Sequence, residues 1–529
     1  MKLCEITSNN FNEALWREKG YDLPGFDIMS VRENTYNAPA WVHFGAGNIF
    51  RAFPATVLQT LLDKGIYDKG VIVAEGFDYE IIDKAYRPYD NLSLLVLLNS
   101  DGSIEKKVVA SVTESLKADY KFKEDWDRLV KIFSNPSLQF VSFTITEKGY
   151  STDPSDFERG ETPLLMMGKL TALLYQRYLA GRYPITLQSM DNCSHNGDKL
   201  REGVLAYAER WEKKGIVQKG FAEYLKDESL VSFPWSMIDK ITPRPDAKVQ
   251  KALTDDGFED VDIIVTDRGT YTAAFVNAEQ TEYLVMENKF PCTPPPLDKG
   301  GVIFTDRKTV DNVERMKVCT CLNPLHTALA IFGCLLDYTL ICEQMKDDDL
   351  CALVTKMGYK EAMPVVVDPK VLNPREFIDA VLSKRLPNPF MPDAPQRIAT
   401  DTSQKLSIRF GETIKAYHKA GLGKDELVLI PLVLAAYARY LKAVDDNGKP
   451  FLPSSDPLIE QLQKIVEDLE ITEKEQDFSC LKKLYSRADI FGVDLYEYGL
   501  GEKIEGMAAE LFLGVGAVRK TLHKYVSQR

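Results

Sequence analysis

The chain has 529 residues, room for two to four domains at roughly 150 residues each, and 45% are apolar and 27% charged, a balance that excludes whole-chain disorder, collagen and coiled coil. Lys and Arg number 65 against 78 Asp and Glu, a net charge of −13 with no basic stripe. That excludes a nucleic-acid binder gripping phosphates over a wide surface and leaves room for a local basic pocket for a small anion. The nine cysteines form no CxxC framework and predict free thiols in a reducing compartment. The opening residues lack the basic-then-apolar pattern of a signal peptide. The most membrane-like run, 327–342, is too short to span and carries Asp337, so a buried helix is expected. The expectation is a soluble, cytoplasmic protein with no membrane partner.

Residues 1–37 are polar and mixed and are expected to form an N-terminal extension. Ala40, Trp41, Val42, His43 and Phe44 then make an apolar run ending in Gly45-Ala46-Gly47. After it Phe50, Phe53, Val57, Leu58, Leu61 and Leu62 recur at helical spacing, which predicts a strand, a tight glycine turn and an amphipathic helix. A second buried strand is expected over 71–74, closed by Glu75, and further strands over 92–98, 108–112, 140–145 and 185–190, with a helix over 126–133. Short apolar strands separated by helices predict an α/β fold with a doubly wound parallel sheet of Rossmann type over 38–296. Glu75, Thr146 and Asn192 fall at or just past strand ends, where such sheets bind ligands. The proline-dense stretch 290–296 is the expected linker. Beyond it 311–322, 327–345, 393–420 and 426–441 have helical patterns, with Pro431 expected to kink the last, so 297–529 is expected to be a mainly α-helical domain.

A glycine turn from strand to helix lets a pyrophosphate approach backbone N–H groups. The dinucleotide pattern wants a third glycine, but position 50 is Phe, and a GxG alone fits an ordinary tight turn as well. Its context favours a dinucleotide: a strand before it, a helix after it, and Glu75 ending the next strand. An acid there can bind both ribose hydroxyls and repel a 2′-phosphate, favouring NAD over NADP, or can be a solvated strand end. Arg51 stands within reach of a phosphate. In the second half, Glu314 and Lys317 precede Asn323, Pro324 and His326, types that assemble a base and an oxyanion clamp. Asn323 before Pro324 also fits a helix N-cap, with His326 one turn on along the same face. Asp191-Asn192 with His195-Asn196-Gly197 fits either a polar turn or a site, as Arg397 to Lys405 fits either a solvated helix face or an anion pocket. No HExxH, GxxxxGK[ST], GxSxG or spaced Cys/His cluster occurs, so no metal site is expected and a lysine base is the economical choice.

These pieces, in this order, resemble the mannitol dehydrogenase family of long-chain polyol and uronate oxidoreductases, from about residue 38 to the C-terminus. Residues 43–51 look like the family's GxGxFxR cofactor turn, and Ser142 to Tyr150 is similar to its S-x-T-x-T-E-x-G-Y segment. Asp191-Asn192 with Asn196-Gly197 is similar to DNxxxNG, and Phe233-Pro234 with Asp239 to Pro243 resembles FP…D-R-I-T-P. Glu314, Lys317, Asn323 and His326 match the types of the family's catalytic segment, and Arg397 and Lys405 match its two basic substrate-binding residues. One departure is an extra residue: the family places Asn five after Lys, here six, and on an uninterrupted helix this rotates Lys317 by about 100° against His326. A break or bulge ahead of Pro324 would restore the geometry.

The resemblance implies a Rossmann-type domain and a helical domain with substrate in the cleft between, as a monomer or small homo-oligomer. It implies NAD held by Phe44, Gly45, Ala46, Gly47, Asn48, Ile49, Arg51, Glu75, Thr144 and Glu147, with Asp239, Arg397 and Lys405 near substrate. Lys317 is the implied base, Asn192 and Asn323 the oxyanion donors, His326 the orienting residue and Glu314 the gate for proton exchange. The implied reaction is hydride transfer at C2 of an open-chain sugar or sugar acid. The Cys321-Leu322-Asn323-Pro324-Leu325-His326 variant looks like the fructuronate reductase branch, acting on D-fructuronate and D-mannonate. Mannitol/fructose, arabinitol or tagaturonate/altronate chemistry, or a non-catalytic NAD sensor, are the alternatives.

Overall fold

A computed structural model describes every residue except Asn10, Glu161 and Arg529. The chain divides into two compact units, Met1–Asn99 with Ser103–Asp311, and Ser100–Gly102 with Asn312–Arg529.

The first unit is built on a six-stranded sheet: β1 (Trp41–Phe44), β2 (Val71–Glu75), β3 (Val112–Lys117), β4 (Phe140–Phe143), β5 (Ile185–Ser189) and β6 (Val231–Ser232). The spatial order is β3-β2-β1-β4-β5-β6, and every pair is parallel. This is the doubly wound order of dinucleotide-binding sheets, and it reverses direction between β1 and β4. Continuous apolar runs suit strands covered on both faces, and β1, β2, β4 and β5 are buried along their whole length. After β1 the chain enters α1 (Asn48–Ala52) and, past a break at Phe53, α2 (Pro54–Asp63). After β5 it enters α3 (Asn196–Lys214).

Two expected strands belong elsewhere. The apolar run at 92–98 forms Ser93–Leu98, which pairs antiparallel with Ile104–Val109 and parallel with Phe275–Glu279 in a second sheet. The run at 108–112 is not one strand: Val109 ends that hairpin and Val112 opens β3. Buried Gln59 clamps the corner, donating to the Val108 carbonyl (2.6 Å) and accepting from Ala110 N–H (2.6 Å). A β-rich run does not report that corner, because the residues on both sides of it are buried. The described residues of 1–37 fold into this unit: Tyr21 and Asp22 pair with Lys106 and Lys107, and Trp16 packs edge-on against Tyr21 and Phe258. The units part after Asp311, downstream of the prolines, because Ile303–Thr305 pairs with Val285, Met286 and Glu287.

The second unit opens within α4 (Arg307–Arg315), and its core forms around α5 (Asn323–Leu335) and α6 (Leu429–Leu441). Its expected long helices are broken into shorter pieces. α5 ends at Leu335; Asp337 takes a φ of +59°, and helix resumes at Ile341–Gln344. The 393–420 pattern resolves into Pro395–Ile398, a turn at Thr402–Gln404, and a π-helical turn Ser407–Gly411 running into Glu412–Ala420. Pro431 does not interrupt α6. It lies in the first turn, where a missing N–H costs nothing, and the buried carboxylate of Glu361 accepts from Val428, Leu429 and Ile430 N–H just before it. Among the described residues one helical stretch, Arg307–Leu335, is long and apolar enough to cross a membrane, and 83% of its apolar window is buried in the protein.

Candidate active site

The switch point of the sheet carries the glycine turn. Gly45 has a φ of +106°, and a Cβ there would stand 2.2 Å from the Thr144 carbonyl oxygen. Only glycine lets the end of β1 pass that close to the end of β4. Gly47 caps α1 with no side-chain bond and with open space where its Cβ would be. Phe50, at the place of the third glycine, stacks flat on His43 (centroids 4.1 Å apart). The helix therefore packs on β1 through a ring pair instead of a close backbone approach. His43 is buried between the Ser142 and Thr144 hydroxyls (2.6 and 2.9 Å), and burial pulls its imidazole down to about 3.

Two residues expected at the cofactor make bonds within the protein. Arg51 does not reach toward a phosphate. Its guanidinium is buried and donates to the Ala273 carbonyl (2.6 Å), Thr272 Oγ1 (2.9 Å) and Asn48 Oδ1 (2.8 Å), tying α1 to the segment that leads into Phe275–Glu279. Glu75 is not a solvated strand end. It is 7% exposed and accepts from Ala46 N–H (2.8 Å), Phe77 N–H (2.8 Å) and Asp78 N–H (3.2 Å). Burial pushes its carboxyl up, and the three N–H donors work against that. Glu75 thus fastens the glycine turn to the end of β2.

At the carboxyl ends of β1, β4 and β5 lies a cavity of about 290 Å³, lined by Ile49, Thr144, Thr146, Glu147, Asp191, Asn192, Asp239 and Lys240 among others. Asp191 organises its floor, accepting from Ile145 N–H (3.0 Å), Thr146 N–H (2.8 Å) and Tyr150 OH (2.5 Å). Burial nevertheless pushes its carboxyl up. Thr146 is held at a φ of +63°, a strained conformation for a β-branched residue. Asn192 is exposed at the rim. Asn196 is buried and structural: its amide donates to the Asp191 carbonyl (2.9 Å) and the Ser236 carbonyl (3.0 Å) and accepts from Ser236 N–H (3.1 Å). His195 stacks on Trp235. Glu147 is largely exposed and pairs with Lys199, while Lys240 pairs with Glu282.

In the second unit, α4 runs into a π-helical turn, Met316–Cys321, that carries Lys317. Leu322 N–H bonds to the Lys317 carbonyl five residues back (3.1 Å). A π turn accommodates one extra residue without carrying the flanking helix through another ~100°. The six-residue step from Lys317 to Asn323 runs through this turn. Lys317 is 4% exposed, and Glu314, on α4, is partly buried. Asn323 is not the N-cap: Leu322 holds that place, Asn323 is the first helical residue, and the cap has no side-chain bond. His326 lies one turn on, its Nε2 3.4 Å from Asp393 Oδ2. Arg397 forms an ion pair with the same carboxylate. Burial works to raise the Asp393 carboxyl, but His326 and Arg397 outweigh it and hold it below the ordinary carboxylate range. Lys405 donates to the Thr400 carbonyl, and desolvation with nearby Arg409 lowers its pKa. Asp393 was not singled out from sequence; its spacing four before Arg397 was the available signal. Among the described residues no group of three His, Cys, Asp or Glu side chains converges on one point.

The strand order and the glycine turn at its switch point define a Rossmann-type dinucleotide-binding unit, joined to a helical unit bearing a buried lysine ahead of an Asn/His helix start. Residues 39–299 match the mannitol dehydrogenase Rossmann domain and residues 309–506 the mannitol dehydrogenase C-terminal domain. The chain belongs to the mannitol dehydrogenase family. It is 50% identical to a D-mannonate oxidoreductase of Thermotoga maritima, over 98% of each chain. Its fold is similar to a mannitol 2-dehydrogenase of Pseudomonas fluorescens solved as a ternary complex with NAD and D-mannitol (TM-score 0.68, 25% identity, covering 98% of this chain and 100% of that one). It is similar also to a substrate-free D-sorbitol dehydrogenase (TM-score 0.77, 24% identity, 94% and 97% covered).

Proposed function

We propose that the protein is an NAD-dependent oxidoreductase interconverting a ketone and a secondary alcohol on an open-chain sugar acid, D-fructuronate and D-mannonate. The observation that carries the chemistry is the π-helical turn: it buries Lys317 and absorbs the residue by which this segment departs from the family spacing. The half-identical D-mannonate oxidoreductase supports the choice of substrate.

The first unit fits NAD. Gly47 leaves the start of α1 open to a pyrophosphate, and the cavity beside Thr144 and Asn192 lies at the strand ends where a nicotinamide belongs. Ala46, Asn48 and Ile49 complete the turn, Phe44 ends the strand beneath it, and Glu147 lines the cavity. When bound, NAD supplies the hydride acceptor for oxidation, and NADH the donor for reduction. Lys317 takes the hydroxyl proton during oxidation and returns it during reduction. Asn192 and Asn323 donate hydrogen bonds to the oxygen on which negative charge grows. His326, backed by Asp393, orients the substrate hydroxyls. Glu314 passes the proton from Lys317 to solvent, and Asp239, Arg397 and Lys405 bind the rest of the chain of hydroxyls.

The protein acts on this small molecule in the cytoplasm, as a monomer or small homo-oligomer. No disulfide joins any of its nine cysteines, which supports a reducing compartment. The test is the loss of NADH absorbance with D-fructuronate and, separately, D-fructose. The reading expects a higher kcat/KM for the keto-uronate; turnover of neither substrate would reject it.

A further inference from the structure

The second unit holds three cations close in sequence, and they differ in what neutralises them. Arg397 is ion-paired with Asp393. Lys405 donates to the Thr400 carbonyl and feels Asp401 and Asp456. Arg409 has no such partner. Its Nη1 donates to the uncharged Thr327 hydroxyl, and among the described residues its guanidinium meets no carboxylate and no other acceptor.

Its position is the second observation. Arg409 belongs to the π-helical turn Ser407–Gly411, which packs against the π-helical turn Met316–Cys321 that carries Lys317. Thr413, just beyond, donates to the Cys319 carbonyl (3.1 Å). The Thr327 hydroxyl that receives Arg409 itself donates to the Asn323 carbonyl (3.0 Å). Arg409 is therefore linked through Thr327 to the first turn of α5, the turn that holds Asn323 and His326. π-Helical turns persist where function repays their poorer geometry.

We propose that Arg409 receives the carboxylate of an open-chain sugar acid and so selects keto-uronates over neutral keto-sugars, an inference that rests on the oxidoreductase reading above. The two substrate types differ at the far end of the carbon chain, carboxylate against CH₂OH. A site that discriminates them needs a positive charge that the protein has not already cancelled. Arg397 meets that requirement less well, since its charge is shared with the Asp393 carboxylate. Arg409 meets it, with a planar guanidinium suited to a two-oxygen partner. A desolvated cation without a counter-charge is costly to the fold. Burial pulls this guanidinium down to about 10, and no opposing charge restores it. An anionic ligand removes that penalty.

The test compares the intact enzyme with Arg409→Gln and Arg409→Lys, measuring kcat/KM with NADH for D-fructuronate and D-fructose. The uronate-to-fructose ratio is expected to fall about 100-fold or more in the Gln variant, mostly through KM for the uronate, as when one partner of a buried charge pair is removed. The Lys variant should recover most of the ratio. An unchanged ratio, or equal loss on both substrates, overturns the assignment. Calorimetric binding of D-mannonate to the NADH-loaded protein, which cannot oxidise it, separates this claim from the reaction itself. Should the enzyme reduce neither substrate, the oxidoreductase reading falls, while mannonate binding that Arg409→Gln abolishes sustains the anion site. Absence of mannonate binding to the intact protein overturns it.

Discussion

The carboxylate of Glu75 accepts three backbone N–H groups, one from the glycine turn and two from the loop after β2. These bonds make it a shaping residue of the cofactor loop. Glu75→Gln is expected to weaken NADH and NADPH binding together, by about tenfold, the value of one or two weakened hydrogen bonds to a charged group; titration of both cofactors checks it, and a selective gain for NADPH would show that Glu75 contacts the ribose. Asp393 has the opposite character. Its folded carboxyl is held below the ordinary value, so the stability it adds is present at neutral pH and is lost as pH falls through the carboxylate range. Melting temperatures across acidic pH should fall less steeply for Asp393→Asn than for the unaltered chain. The sequence named His326 and Arg397, but not the acid joining them. A carboxylate four residues from an arginine looks the same whether solvated or buried, and only the fold brings a histidine to its other side.

Among elements, the turn after β1 is the most tightly specified. Gly45→Ala would place a methyl 2.2 Å from the Thr144 carbonyl, at a φ of +106° that L-residues avoid. The loss should exceed the ~1 kcal/mol at the upper end of ordinary Gly/Ala differences, with a lower melting temperature and no measurable NADH binding; a variant of normal stability and affinity would mean the turn adapts. This turn was legible because strand, glycines and helix lie in consecutive residues. The run at 108–112 was not, since β-rich residues continue across a corner where both strand ends are buried. The π turn at Met316–Cys321 was legible only as a count: one residue too many, with a bulge among the ways to absorb it. The long helices expected in the second unit were over-extended for a related reason. Helical spacing continues through a positive-φ residue such as Asp337 without registering the break.

For the whole molecule, the division of labour follows the two units. The first carries the open glycine turn and the cavity beside Asn192; the second carries Lys317, Asn323, His326 and the basic residues. The order of motifs along the chain was enough to indicate the family, because several of them sit at a strand end or helix start that local sequence encodes. Asn192→Ala and Asn323→Ala should each lower kcat about 10²–10³-fold with little change in NADH affinity, as expected of donors to a developing oxyanion; stopped-flow reduction with each variant measures this. The account rests most directly on Lys317 as the base, and its decisive measurement is kcat for Lys317→Ala in NADH-dependent reduction of D-fructuronate, beside NADH affinity by fluorescence titration. A loss of about 10²–10⁴-fold with NADH binding intact is the predicted result. More than about a tenth of the original kcat, too small a loss for a general base, would contradict it and move the proton to another group.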